Sequence, residues 1–412
     1  MDRARYIVVG GGLAGGSAVE AIRERDPEGR LILVTEEKQR PYDRVPLSKT
    51  YLTGRLPREG VFLKKPEFYE HKHIELLTGR SVKRLNLRAR TVLLDDGQEV
   101  GFERLLIATG GRPKKLPILG GHLPGIHYLR TLEDCEAIKA AIVNSGKAVV
   151  IGGGFIGCEV AAAFAAKGLE TTIIELGPYL LNMAIDEETG RWITKYFEQQ
   201  GITVLTGIGV ASFVEGGGHM VGVQTEHGEL VRGSIAVVGV GINPNEELAQ
   251  EAGLKVDNGV VVNDHLETEV EGVFAAGDVA RFYSPIFGHH LRVEHYDVAV
   301  KHGRLAGANM TGAQLSFTEL PFFFSYMFTL RTHVYGDMSR YDQVIRRGTL
   351  QLTERGGFMQ FYLKDGRVNA FLATNRGIKE MQAVQRLILS RRTFEDTSIL
   401  ADESVDLQGL TS

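Results

Sequence analysis

The chain has 412 residues, 43% of them hydrophobic and 24% charged, with a formal net charge of −4 at pH 7. That length holds two or three domains at roughly 150 residues each, and the small net charge excludes a global field suited to nucleic acid or a membrane surface. Its two cysteines, Cys135 and Cys158, form neither a disulfide framework, nor a metal set, nor a C-x-x-C dithiol, and the opening residues carry no signal-peptide pattern or spanning segment, so the cytoplasm is the expected location.

In chain order, the run YIVV at residues 6 to 9 predicts a strand. Gly10, Gly12 and Gly15 follow, with Leu13 and Ala14 between them, then a helix-like stretch to about Glu24 and a second apolar run, LILV, leading to Thr35 and Glu36. This is a βαβ unit with dinucleotide spacing. Glycine lets the backbone turn tightly and approach a pyrophosphate, the helix N-terminus offers free N–H groups, and Glu36 stands where an acid accepts hydrogen bonds from ribose hydroxyls.

The same order recurs 142 residues later: VVI, then Gly152, Gly154 and Gly157 with Phe155 and Ile156 between them, a helix through Lys167, and TTII ending at Glu175. Hairpin patterns with turns at Asp96-Gly97 and near His227-Gly228 follow the two units. Each hairpin leads to a closing strand with a glycine-rich end: LLIATGG, which holds Ala108, and VVGVG, which holds Gly239 and Gly241. Two such units imply one tightly held and one exchanging cofactor, for which flavin and nicotinamide are the obvious pair. Glu175 binds a 2′-hydroxyl but repels a 2′-phosphate, and no Arg or Lys stands beside it in ELGPYLL, so NADH is favoured over NADPH.

A further strand ends at Ala276-Gly277-Asp278, and a helix is expected from about Glu294 to Asn309. Beyond Phe322 the pattern becomes one of alternating strands, with a hairpin turn at Asp365-Gly366. The expected fold class is α/β: two Rossmann-like nucleotide-binding domains, for FAD (1–114 and 246–319) and NADH (115–245), plus a C-terminal α+β domain (320–412). Histidines 71, 73, 289, 290, 295 and 302 lack carboxylate or cysteine companions at ligand spacing, so no metal site is expected. Cys158 is expected to be a small packing residue at a helix start.

The stretches RPYDRVPLSK (40–49), LLIATGGRP (105–113), GVFAAGDVA (272–280) and RVEHYDVAVKHGRLAGANMTG (292–312) resemble the FAD-dependent pyridine-nucleotide reductases without a redox disulfide. That group includes ferredoxin, rubredoxin and putidaredoxin reductases and the apoptosis-inducing-factor-like flavoproteins. The resemblance implies that Gly10, Gly12, Gly15, Glu36, Arg44 and Asp278 contact FAD, joined by Arg130, by Val82 through its backbone, and by Tyr296 near the ring. It also implies that Lys49 lies beside the isoalloxazine and pairs with Glu159, since a cation near N5 favours electron-rich flavin.

What the resemblance implies for function is hydride transfer from NADH to flavin and onward delivery of electrons to a ferredoxin- or rubredoxin-type carrier, with the protein supplying orientation and electrostatics. Two other readings stay open: an NADH oxidase or quinone reductase with a small acceptor, and an NADH-sensing flavoprotein of the apoptosis-inducing-factor kind. The basic runs LKKP, RPKKLP and SRR either dock an acidic redox protein or are ordinary surface. At position 326, where the family generally places an acid after Phe-Ser, this chain has a tyrosine.

Overall fold

The structure is a computed structural model that describes residues 2–143, 145–353 and 356–411. The chain forms two compact units: one comprises the chain up to Asp43, Arg58–Arg112 and Asn243–Phe323, and the other Arg44–Pro57, Pro113–Ile242 and Phe324 onward. Among the described residues, no helix is long and apolar enough to cross a membrane.

The first unit is built on a seven-stranded sheet. Its strands run in the order Ile74–Thr78, Leu31–Thr35, Asp2–Val9, Glu99–Ile107, Thr91–Leu94 and Val82–Asn86, with Val273–Ala275 also paired to Glu99–Ile107. Tyr6, Ile7, Val8 and Val9 are all buried, as a central parallel strand covered on both faces requires. The helices Leu13–Arg25 and Tyr296–Met310 approach backbone to backbone in this unit. Glycines make that possible, because a Cβ on Gly303 would lie 2.1 Å from the Ala14 carbonyl oxygen and one on Gly307 would lie 2.5 Å from that of Ala18. The second of these helices begins two residues later than its sequence suggests: Glu294 is held by Arg292 at 2.9 Å, and His295 is an extended N-cap.

The second unit has a five-stranded parallel sheet in the order Thr203–Thr206, Glu170–Glu175, Lys147–Ile151, Ile235–Val238 and Ile126–Tyr128. A separate antiparallel meander, Val210–Gly216, His219–Thr225 and Leu230–Arg232, accompanies it. In the first unit the corresponding hairpin is continuous with the parallel sheet. Glu99–Ile107 is nine residues long and pairs in both senses, whereas Ile235–Val238 has four residues and is separated from the meander by Gly233 and Ser234.

Residues 44–57 are fastened within the second unit by side-chain and main-chain contacts. The Cys135 thiol reaches the Leu47 carbonyl at 3.1 Å, the Tyr51 hydroxyl donates to Glu136 at 2.9 Å, and the Lys139 ammonium lies 3.9 Å from the centre of the Tyr51 ring. The C-terminal part is a five-stranded sheet with the helix Ile378–Ser390, around a core that includes Phe358, Phe361, Phe371, Val384 and Leu387. Its hairpin at Asp365-Gly366 has both residues at positive φ, the geometry of a two-residue turn between twisted strands.

Candidate functional site

The two glycine turns obey one steric code. Gly10 and Gly152 have φ of +118° and +101°, and their N–H groups donate to Val34 and Ile174 carbonyls, each at 2.8 Å. A Cβ on Gly10 would stand 2.1 Å from the Ala108 oxygen, and one on Gly152 would stand 2.4 Å from the Gly239 oxygen. A Cβ on Gly15 or Gly157 would fall 1.9 Å from the oxygen of the first glycine in its own turn. First and third glycines are therefore demanded by packing. Gly12 and Gly154 differ: each is the N-cap of its helix, without a side-chain cap or an acid in the first turn, and a Cβ there meets nothing within 4 Å. An uncapped helix N-terminus beside such open space is where a pyrophosphate fits.

In the first unit, Leu13 and Ala14 open the helix, and Ala14 lies against the turn that holds Asp278, since a Cβ on Gly277 would come within 2.9 Å of the Ala14 methyl. Glu36 is exposed directly after the strand Leu31–Thr35. Val82 begins the outermost strand of the sheet. Tyr296 is the first residue of its helix and is partly exposed, with burial raising its phenol pKa. Beside it, burial pushes His295 down to about 4 against the opposing charge of Asp278, and its Nδ1 has no partner among the described residues. Arg292 donates to the Asp278 carbonyl at 3.2 Å while its Nε has no partner among those residues. An unpartnered imidazole nitrogen and an unpartnered guanidinium N–H near Asp278 are polar groups of the kind a flavin's polar edge needs.

In the second unit, Glu175 closes its strand and accepts from the Gly153 N–H, from Gly177 N–H at 2.6 Å and from Asn182 Nδ2 at 3.0 Å. The following loop turns back, Leu181 N–H donating to the Gly153 carbonyl at 2.9 Å, and leaves Met183 94% exposed. Phe155 and Ile156 begin the helix, with Ile156 exposed. Gly239 donates to Ile151 at 2.8 Å, and Gly241, at φ +98°, has the Lys114 side chain beside it. The acid, the turn and the helix start converge on the space beside Gly154.

Lys49, Glu159, Arg44 and Arg130 also belong to this unit. Lys49 Nζ lies 2.7 Å from Glu159 Oε1, and that carboxylate is almost completely buried. Arg44 donates to the Arg130 carbonyl at 2.8 Å. Reading the sequence for chemistry misses Ser48 and Ser325, both bonded to Glu159, and Arg292. Ser48 lies next to Lys49 and Ser325 lies beside the departure at Tyr326, so the signal stood one residue away in both cases.

Cys135 and Cys158 are free and buried, and burial raises both thiols, Cys135 to about 12. Neither is a reactive thiolate. Among the described residues no group of three or more His, Cys, Asp or Glu is arranged to hold a metal.

Residues 4–303 match the family of pyridine nucleotide-disulphide oxidoreductases, and residues 322–411 match the reductase C-terminal domain. The chain is 33% identical over 407 residues to putidaredoxin reductase of Pseudomonas putida, covering 98% of this chain and 95% of that one. It is 34% identical over 411 residues to the ferredoxin–NAD(+) reductase component of the anthranilate 1,2-dioxygenase system of Burkholderia cepacia, covering 98% of both. The reductase in the crystal structure of the covalent putidaredoxin reductase–putidaredoxin complex superposes with a TM-score of 0.93 at 32% identity, over 100% of this chain and 98% of that one. The chain belongs to the pyridine nucleotide-disulphide oxidoreductases, in the branch that ends in a reductase C-terminal domain.

Proposed function

We propose that this chain is an NADH-dependent, FAD-containing reductase that passes electrons to a small ferredoxin- or rubredoxin-type carrier. The observation that carries the reading is the repeated steric code, which leaves two uncapped helix starts, at Gly12 and Gly154, each beside an open space for a pyrophosphate. When bound, FAD would accept a hydride from NADH and release its electrons to the acceptor. The names of the relatives, which are reductases working with such carriers, support the choice of acceptor.

The chain's own residues supply position and charge. Gly10, Gly12 and Gly15 form the cradle assigned to the FAD pyrophosphate, with Glu36 for its ribose and Asp278 for the ribityl chain. Arg44, Val82, Ala108, Arg130 and Tyr296 complete that assignment. Gly152, Gly154, Gly157 and Glu175 are assigned to NADH, with Gly239 and Gly241 at the end of the closing strand. Lys49, fixed by Glu159, is the cation assigned to the flavin ring, where positive charge favours the reduced form. Residues 1–114 and 246–319, 115–245 and 320–412 remain the proposed FAD, NADH and C-terminal domains. A cytoplasmic setting is part of the reading, consistent with two unpaired buried thiols.

Stopped-flow mixing of the purified protein with NADH tests it. Flavin that copurifies and is bleached rapidly by NADH, and slowly by NADPH, is expected; a protein that carries no flavin would remove the reading. Rapid reoxidation by oxygen or quinone alone would point to the oxidase, and a long-lived reduced complex stable in air to the sensor.

A further inference from the structure

We propose that Ser325 is a positioning residue for Lys49, acting through Glu159, and that Ser48 completes the clamp. Glu159 is 4% exposed, and three donors meet its carboxylate. Lys49 Nζ and Ser325 Oγ lie 2.7 and 2.6 Å from Oε1, and Ser48 Oγ lies 2.5 Å from Oε2. The donors come from separate parts of the chain: the 3-10 turn Val45–Ser48 with the lysine after it, and the strand Phe322–Met327 of the C-terminal sheet.

A buried ion pair with only one contact leaves the carboxylate free to rotate about its own axis, and the lysine moves with it. A hydroxyl on each oxygen removes that freedom, and hydrogen bonds to a charged acceptor are the stronger kind. Stability does not explain the arrangement, because a buried ion pair is commonly no better than an apolar pair of the same volume. What it does provide is a fixed ammonium position. The strand's alternation sets the geometry: Ser325 is buried, while Tyr326 on the opposite face is exposed and Phe324 lies with its ring centre 5.7 Å from Lys49 Nζ.

This role rests on the flavin reading of Lys49, and the experiment separates the two. The parent holoenzyme, Ser325→Ala, Ser48→Ala, Glu159→Gln and the double variant Ser325→Ala/Glu159→Gln are compared for the rate of flavin bleaching at saturating NADH and for the midpoint potential of the bound flavin. Each serine variant is expected to slow bleaching by about tenfold, the loss of one hydrogen bond to a charged group, and to lower the potential. NADH affinity should stay within about twofold of the parent, a difference too small to reflect a lost contact. In the Glu159→Gln background Ser325→Ala should add nothing, because both changes break one linkage. Parent-like bleaching and potential in both serine variants, or an equal slowing by Ser325→Ala in either background, would overturn the clamp alone. A parent whose flavin NADH does not reduce would overturn the flavin reading and the clamp with it.

Discussion

The Gly153 N–H donates to the carboxylate of Glu175, so the acid that ends a strand of the second unit also ties down the glycine turn in front of it. Its other oxygen holds Gly177 and Asn182, which fixes the loop that folds back over the turn. A residue doing both jobs should be costly to remove. Glu175→Ala is expected to weaken NADH binding by about tenfold or more, since each lost charged hydrogen bond is worth roughly 1.5–3 kcal/mol. It should weaken NADPH binding less, because the repulsion of a 2′-phosphate disappears with the carboxylate. Titration of both nucleotides checks this, and an unchanged ratio of affinities would count against the assignment.

The steric code separates two kinds of glycine. Gly10→Ala places a methyl 2.1 Å from the Ala108 oxygen at a φ of +118°, so it should destabilise the fold by more than about 1 kcal/mol. Gly12→Ala and Gly154→Ala meet no protein atom, so with flavin and nucleotide removed their melting temperatures should stay near that of the equally stripped parent. They should instead lose, respectively, FAD retention and NADH affinity, because the methyl occupies the space proposed for phosphate. Flavin content, melting curves and NADH titration decide all three.

His302 is fully buried between the rings of Phe282 and Phe317, at 4.6 and 4.4 Å, and neither ring nitrogen has a partner among the described residues. Burial pushes its pKa down from 6.5 to about 3. The unfolded chain therefore binds a proton that the folded one refuses, and stability present above pH 6.5 is lost as pH falls towards 3. Between pH 7 and pH 5 this costs about 2 kcal/mol, at about 1.4 kcal/mol per pH unit below 6.5. A His302→Leu variant should lack that component, so urea unfolding at the two pH values should show the parent losing the larger amount.

Arg347 is buried in the C-terminal sheet and holds the end of the chain. Its guanidinium reaches Glu380 at 2.9 Å, the Asp402 carbonyl at 2.5 Å and the Val405 carbonyl at 2.9 Å. Arg347→Met leaves Glu380, a partly buried carboxylate, with Arg376 as its remaining cation and strands those carbonyls, so a loss of about 2 kcal/mol is expected. The segment after residue 400 should become the first site of limited proteolysis. Arg347→Lys should not rescue it, because an ammonium lacks the fork that spans these acceptors.

Much of the fold could be read from the sequence, because its signals are local. Positive φ at Gly10 and Gly152 follows from a strand-to-helix turn whose residues are neighbours in the chain, and the Asp365-Gly366 turn is equally local. The late helix start at Tyr296 escaped the sequence because Arg292 takes Glu294 out of the helix. Residues 44–57 carry no local mark of the unit they join, because Tyr51 and Leu47 are fastened to Glu136 and Cys135, more than eighty positions away. For the same reason Ser325 showed nothing of its bond to Glu159, which lies 166 positions earlier. Side-chain contacts across such distances have no periodicity to betray them.

Exit of electrons through a protein carrier is checked most directly by NADH-driven reduction of cytochrome c with and without added ferredoxin or rubredoxin, oxygen uptake being recorded in parallel. Turnover should be slow without a carrier and reach about 1 per second or faster with one, the ordinary enzymatic range, with little oxygen consumed. Equal rates with and without carrier, or NADH consumption matched by oxygen uptake, would contradict it.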